Sequence, residues 1–213
     1  MSTSSKISRL TKSDKARFVS VMSEAFARDP LFLHLFGDTR QGGKAATSLT
    51  AFVSFMFDKS FLLHEEVWGY FENGELLGTY VVEKPNASKS QNTKGYLLLA
   101  GRLIPLLLQM SGATLNLLNS YMKVTRSAVP PLAHHYLIMI GVNPEDQGKG
   151  IGGTLLKHLL NTVDNDGKSF GIALDTEKKE NVDLYRKFGF SFSQETQIGH
   201  LPVYCMFYRK PPL

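Results

Sequence analysis

The stretch Gly141 to Leu160, GVNPEDQGKGIGGTLLKHLL, restricts the fold of this chain more than any other. Gly141, Gly148, Gly150, Gly152 and Gly153 fall within thirteen residues, between an apolar run and a leucine-rich one. The apolar run, His135 to Val142 (HYLIMIGV), has the length and composition of a buried strand. After the glycines, Ile151, Leu155, Leu156, Leu159, Leu160 and Val163 recur on one helical face, and Asp166-Gly167 ends the helix. A glycine-rich connection between strand and helix means that the backbone bends sharply or closely approaches something. Amides at a helix N-terminus suit a phosphate.

Around this unit the period alternates between helix and strand. Ile7 to Leu10 reads as a short strand. Thr11 and Ser13 can cap a helix over Lys15 to Arg28, with Phe18, Val19, Met22 and Phe26 on one face. Asp29-Pro30 ends it, and helices over Leu31 to Phe36 and Thr47 to Leu63 follow. Val67 to Phe71 and Leu76 to Val82 read as strands joined through Asn73-Gly74, a hairpin signal because a type I′ turn needs positive φ at both central residues. Lys84 to Thr93 is a polar loop. Gly95 to Arg126 is mostly apolar and reads as two helices broken near Ser111-Gly112, stopped by Pro130-Pro131. Beyond the glycine unit, strands are expected at Phe170 to Asp175, Ser191 to Glu195 and Val203 to Arg209, with a short helix at Asn181 to Lys187. There is no internal repeat and no clear linker, so residues 1–213 are expected to form one domain.

Composition narrows the class. With 43% hydrophobic and 20% charged residues, the chain reads as an ordinary soluble globular protein. MSTSSKISRL has no apolar core of a signal peptide, and no uncharged apolar stretch is long enough to span a bilayer. A lone cysteine, Cys205, excludes an internal disulfide and suits the cytosol; it reads as core filler in a C-terminal strand rather than a nucleophile. The net charge of +5 is scattered, which fits a solvated surface first and a polyanionic small ligand second. The expectation is a cytoplasmic protein that binds neither nucleic acid nor membrane. The histidines show no ligand spacing with cysteines or acids, so no metal is expected.

The glycine loop has two readings. Gly148, Gly150 and Gly153 satisfy G-x-G-x-x-G, and Asp175 lies where a dinucleotide fold carries its ribose-binding acid. Against this, Asn143 to Gln147 separate strand from fingerprint, and too few residues follow for the remaining units of a doubly wound sheet. The second reading takes Gln147-Gly148-Lys149-Gly150-Ile151-Gly152, which resembles the acetyl-CoA motif [RQ]-x-x-G-x-[GA] of the GNAT acetyltransferase superfamily. The resemblance returns one strand later, in Asn181 and Leu184-Tyr185-Arg186-Lys187-Phe188-Gly189-Phe190, and covers Tyr136 to Phe190.

The resemblance implies an α+β fold: a mixed, twisted sheet of six to seven strands flanked by helices, with a helical insert before the cofactor strand. It implies that the strands either side of the crossover splay apart around the pantetheine arm of acetyl-CoA. The cofactor contacts it implies are Ile140, Gly141 and Val142 on the strand, Gln147 to Gly153 (Gln147, Gly148, Lys149, Gly150, Ile151, Gly152, Gly153) in the loop, and Asn181 and Tyr185 beyond. Lys149 reads equally as a rim charge or a solvated lysine, and Asn181 as a cofactor contact or a helix cap. An amide near Ile140 to Val142 would bind the oxyanion, and Tyr185 would protonate the leaving thiolate, its other reading being a core aromatic beside Phe188 and Phe190.

The attacking amine must lose a proton. If the strand reaches back to His134, strict alternation points His134, Tyr136, Ile138 and Ile140 one way, and His135, Leu137 and Met139 the other. Family bases often come from this strand, on the face of Tyr136, and histidine is the residue type suited to proton transfer near neutrality, so His134 is the first candidate and a bystander histidine the equal alternative. Glu83 and His200 are weaker candidates. The apolar insert can roof a closed pocket, with Arg102, Arg126, Tyr121 and Phe36 available to line it, or can be extra core or a dimer face. A closed pocket favours a small-molecule amine over a protein tail, on a monomer or homodimer. Two other classes stay open: an NAD(P)-dependent oxidoreductase, and a non-catalytic acyl-CoA-binding module.

Overall fold

The computed structural model describes residues 4–39, 43–85, 98, 99, 101, 103, 104, 106 and 110–211. β1 (Ser5–Arg9) leads into α1 (Lys15–Phe26). Asp29 and Pro30 do more than end that helix. Asp29 caps α2 (Pro30–Phe36), accepting from the Leu31 amide at 3.0 Å, and Pro30 sits in the first turn, where its missing N–H is no loss. α3 (Gly43–Leu62) begins at Gly43 rather than Thr47. Phe18, Met22, Phe32, Phe52, Val53 and Phe57 from these helices bury into one core.

β2 (Glu66–Glu72) and β3 (Glu75–Glu83) form the expected hairpin, with Asn73 at φ 51° and Gly74 at φ 88°. The expected loop beyond Pro85 and much of the first half of the insert, Arg102 included, lie outside the described residues. The break at Ser111-Gly112 is a helix cap: the Ser111 hydroxyl accepts from the Thr114 amide at 3.1 Å and starts α4 (Gly112–Ser127). Then come β4 (His135–Val142), α5 (Ile151–Asp164), β5 (Gly171–Thr176) and α6 (Lys179–Lys187). α6 opens at Lys179, with Lys178 as its cap, so Asn181 is inside the helix and not its cap. β6 (Ser191–Ile198) and β7 (Leu201–Arg209) run longer than expected, because Gly199 at φ 62° closes a tight turn between them.

The strands form one seven-stranded sheet, β1-β2-β3-β4-β5-β7-β6. Every neighbouring pair is antiparallel except β4 and β5. The cores of α1 to α3 cover one face, and α5 and α6 cover the other. α4 lies on the α1–α3 side, where Tyr121 packs with Ile198, Val203 and Cys205.

Two irregularities shape the centre of the sheet. First, Val81 pairs with Met139 and Val82 with Leu137, so Ile138 is an extra residue, a β-bulge. Strict alternation along β4 therefore fails. Leu137 and Ile140 both join the core under α5, while Tyr136 and Met139 take the opposite side. Ile140 does not share the face of Tyr136, and His134 precedes the strand rather than starting it. Second, β4 and β5 pair only at His135–Ile172 and Tyr136–Ala173, and then part. Leu174 to Thr176 keep their partners on β7, so the opening lies on one edge of β5 alone.

The paired end is fastened from outside. The Phe170 amide donates to the Ala133 carbonyl at 2.8 Å. His135 is 3% exposed, with Nδ1 2.9 Å from the Ser169 hydroxyl and Nε2 3.7 Å from the Asp166 carboxylate. Its burial holds its pKa below 6.5, although Asp166 pulls the other way.

Candidate active site

The end of β4 runs into a short 3-10 turn at Pro144–Asp146, then Gln147 and the glycines. Gly148 and Gly150 both have φ 82°, and Gly150 is the left-handed cap of α5. A Cβ built on either would meet nothing within 4 Å, so these glycines serve an unusual backbone and leave the space above it clear. That space is a depression of about 310 Å³, lined by Val142, Asp146, Gln147, Gly148, Gly150, Ile151, Gly152 and Gly153. The Gln147 amide braces the loop by donating to the Val142 carbonyl at 3.2 Å. No acidic residue stands in the first turn of α5, where the helix dipole favours an anion. Lys149 sits on the rim, held to Asp146 at 2.6 Å.

The other glycines serve packing. A Cβ on Gly141 would come within 2.8 Å of Met22 Sδ and 2.9 Å of Ala25 Cβ, so Gly141 lets α1 lie against β4. Gly153 faces the Phe188 ring, and Gly152 faces Val142.

The cradle opens onto the gap between β4 and β5. Tyr185 of α6 is 7% exposed in the core that α5 and α6 share, with its ring 5.6 Å from Phe190. Its hydroxyl makes no hydrogen bond among the described residues. Burial first, then the charges of Asp175, Glu177 and Asp29, push its pKa up and keep it a phenol. Asn181 donates from its amide to the Thr176 hydroxyl at 3.0 Å, tying α6 to the end of β5.

A group of acids on the face opposite α5 was not singled out from the sequence. Tyr136 donates to Asp175, and the Tyr121 hydroxyl bonds to both Asp175 and Glu177. Asp29, 8% exposed, joins them, with Lys178 at 3.9 Å. Burial raises the pKa of Asp175 and of Asp29, and pushes Glu177 up to about 8. Cys205, paired with Asp175 across the strands, is buried core, and its thiol is pushed up to about 12. The Arg126 guanidinium lies 3.7 Å from the centre of the Tyr136 ring and bonds Glu83 at 2.6 Å. The sequence did carry a signal: Asp175 and Glu177 alternate at the end of an apolar strand, so they share a side.

The structure thus brings Tyr136, Tyr121 and Arg126 together beside Asp175, and places Tyr185 in the core of the opposite face, within reach of the same carboxylates' charge. Phe36 packs instead with Phe32 and Phe52. His134 stands at the paired end of β4 and β5, its Nδ1 2.5 Å from the Leu132 carbonyl oxygen and its ring edge-on to Phe207. Asp175, the acid a dinucleotide reading needs, is bound by two tyrosines on the face away from α5. Among the described residues, no three His, Cys, Asp or Glu side chains form a group that could hold a metal ion. No helix among them is long and apolar enough to cross a membrane.

Comparison with solved structures finds the same fold over nearly the whole chain. A Corynebacterium glutamicum protein described as histone acetyltransferase HPA2 and related acetyltransferase superposes with a TM-score of 0.71 at 20% identity, covering 100% of this chain and 98% of that one. The ribosomal-protein-S18-alanine N-acetyltransferase of Escherichia coli gives 0.56 at 14% identity, covering 99% and 96%. The yncA protein of Salmonella typhimurium, solved with its cofactor acetyl-CoA, gives 0.55 at 16% identity, covering 98% and 95%. No curated protein matches in sequence. The family model "Acetyltransferase (GNAT) family" matches residues 33–190, well over half of the chain and the whole of the cradle, gap and α6. With its open parallel pair, this chain belongs to the GNAT acetyltransferase family.

Proposed function

We propose that this protein transfers an acetyl group from acetyl-CoA to the amine of a small molecule, by direct attack while both are bound. One observation carries the reading. The one parallel strand pair among the described residues lets go after Tyr136 and Ala173, and the glycine cradle stands at the open end of the gap. A pyrophosphate fits the cradle, because Gly148 and Gly150 place nothing above their backbone and the α5 N-terminus carries no competing acid. The extended pantetheine arm would then lie along the unpaired edges of β4 and β5.

The residues divide the work. Backbone amides of β4 beyond the bulge, near Ile140 to Val142, lie where they can bind the developing oxyanion. Tyr185 stays protonated in its buried setting and has a hydroxyl free to donate to the leaving thiolate. Gln147 and Asn181 hold the loop and α6 in place through Val142 and Thr176. α4 covers the acceptor side, with Tyr121 reaching the gap, which supports a small acceptor in a confined space over a protein tail. The reading treats residues 1–213 as one acetyltransferase domain.

The test is a set of thermal melts with acetyl-CoA, coenzyme A and NADH. Acetyl-CoA and coenzyme A should raise the melting temperature; a ligand at 100-fold excess over its Kd adds about 2.7 kcal/mol. A shift with NADH alone would overturn the reading. Thiol release with an amine panel then separates an enzyme from a module that only binds acyl-CoA.

A further inference from the structure

We propose that α4 is a strap across the gap between β4 and β5, latched by a proton shared between Tyr121 and Glu177 and released when that proton is lost. The latch rests on side-chain contacts alone; its consequence for acceptor entry rests on the acetyl-transfer reading.

α4 is held to the sheet in an unusual way. A helix normally docks through an apolar stripe. Of the sixteen residues of α4 only Tyr121 and Thr125 are buried, and both carry hydroxyls. Leu115, Leu117, Leu118 and Val124 are only partly buried, and Met122 is 48% exposed. Polar contacts therefore carry much of the docking.

Those contacts land on both sides of the gap. Arg126 bonds Glu83 on β3 at 2.6 Å and lies 3.7 Å from the centre of the Tyr136 ring on β4. Tyr121 meets Asp175 on β5 and Glu177 just beyond it. Tyr136 itself donates across the gap to Asp175. Tyr136 is the last β4 residue paired with β5, and Asp175 lies two residues past Ala173, its partner. One helix thus spans the point where the strands part. Arg126 and Glu83 both keep more than a third of their side chains in water, and such an ion pair contributes little. The buried foot at Tyr121 decides whether the strap holds.

A count of protons shows what that foot needs. The Tyr136 proton goes to one oxygen of Asp175. Tyr121 has one proton, yet it meets the other oxygen of Asp175 and an oxygen of Glu177. Two phenolic protons cannot serve three contacts, so the third needs a carboxyl proton. Asp175 receives both phenols and the attraction of Arg126, which favour its ionised form. Glu177 faces the charges of Asp29 and Asp175, and is the better holder of the proton. With Glu177 neutral, its O–H donates to the Tyr121 oxygen, and Tyr121 donates to Asp175. When Glu177 releases its proton to solvent, two oxygens face each other with no hydrogen between them, and a buried charge is left.

The direction with pH follows. Burial first, then Asp29, push Glu177 up to about 8 in the latched state. With α4 released into water, the same carboxyl returns towards its ordinary value of 4.5. A carboxyl raised in the closed form favours closure below the open value and loses that advantage as pH climbs to about 8. Besides Tyr121, the groups facing Glu177 are Asp175 of β5, Asp29 at the start of α2 with Lys178 at 3.9 Å, Tyr185 of α6 and Cys205 of β7. Tyr121, Tyr185 and Cys205 are all pushed up and stay neutral across this window. Asp29 and Asp175 are raised too, and act in the same direction as Glu177. Rising pH thus frees the strap and uncovers the face of the gap by which an acceptor would enter.

The experiment is hydrogen exchange on the whole chain, without ligand, at about pH 6 and about pH 8.5, each rate divided by the intrinsic rate at that pH. In wild type, peptides from residues 112–127 should exchange at least about tenfold faster at the higher pH, while the β2–β3 hairpin changes less than about threefold. Glu177→Gln keeps a donor towards Tyr121 that no pH removes, so its α4 should change less than about threefold. Tyr121→Phe has no latch, so its α4 at the lower pH should already exchange as fast as that of wild type at the higher. A wild-type α4 indifferent to pH, a Glu177→Gln as responsive as wild type, or a Tyr121→Phe as protected as wild type would each overturn the strap. Hairpin protection shows that a variant is folded; should Glu177→Gln lose it, the wild-type response and Tyr121→Phe decide. No acetyl-CoA enters these measurements. If they come out as expected while acetyl-CoA neither binds nor releases thiol, the strap stands and the acetyl-transfer reading fails.

Discussion

At Gly171 an added Cβ would come within 2.0 Å of the Tyr208 carbonyl oxygen, a backbone atom that cannot turn aside. At Gly150 an added Cβ would meet nothing, and the need for glycine comes from its φ of 82°. These two glycines should fail differently. Gly171→Ala must push β5 from β7, and with a backbone atom in the way the cost should reach the upper end of the overpacking range, about 3 kcal/mol. Its melting temperature should drop by roughly 6–12 °C in a chain of this size. Gly150→Ala should lose about 1 kcal/mol from left-handed strain. Gly150→Asp should abolish the acetyl-CoA melt shift, because a carboxylate would stand where the pyrophosphate belongs; an unaltered shift would count against the cradle. Tyr185→Phe should still bind acetyl-CoA while thiol release falls about 100-fold, and unchanged turnover would remove Tyr185 from the mechanism. Gly150 was legible in the sequence because its reason is local, a turn feeding a helix. The reason for Gly171 lies on a strand far along the chain, and no local pattern marks it.

β4 shows how far periodicity reaches. Its limits, His135 and Val142, follow from a run of apolar residues and match the structure. Its two faces do not follow, because the bulge at Ile138 is a property of the pairing with β3. Strict alternation therefore put Ile140 on the wrong side, and the condition that the strand reach back to His134 is not met. The same dependence on partners hid the acids, whose meaning comes from Tyr121 on α4. The start of β4 carries a prediction of its own. His135 is buried with a depressed pKa, so the folded state resists the proton that the unfolded chain accepts below about pH 6.5. Stability is complete above that value and falls as pH drops through it. Melts between about pH 7.5 and 5.5 should show a shallower fall for His135→Gln than for wild type; identical slopes would mean that the histidine does not sense the change.

For the molecule as a whole, the sheet is continuous on either side of one gap. The paired ends of β4 and β5 are anchored by His135, Ser169 and the Phe170–Ala133 hydrogen bond, so the opening is confined to the other end. Peptide-level hydrogen exchange should find residues 137–142 and 174–177 less protected than the β2–β3 hairpin, and acetyl-CoA should slow their exchange. No change on adding acetyl-CoA would place the arm elsewhere. The general layout, hairpin then crossover then hairpin, was readable from turn residues and strand runs. The position of the insert was not, because an apolar helix looks alike whether it roofs a site or thickens a core, and only Tyr121 and Arg126 at the gap tell the two apart.

An unpaired strand edge ordinarily invites a second chain to add itself, and proteins protect their outer edges with charge, bulges or covering loops. Here two such edges face each other inside the sheet, with helices over both faces and a closed end behind. A neighbouring polypeptide cannot add itself there as it could along an outer edge, because the next strand of the same sheet stands in the way. The fold keeps the sticky backbone that recognition of an extended ligand needs and shelters it from aggregation by the same placement.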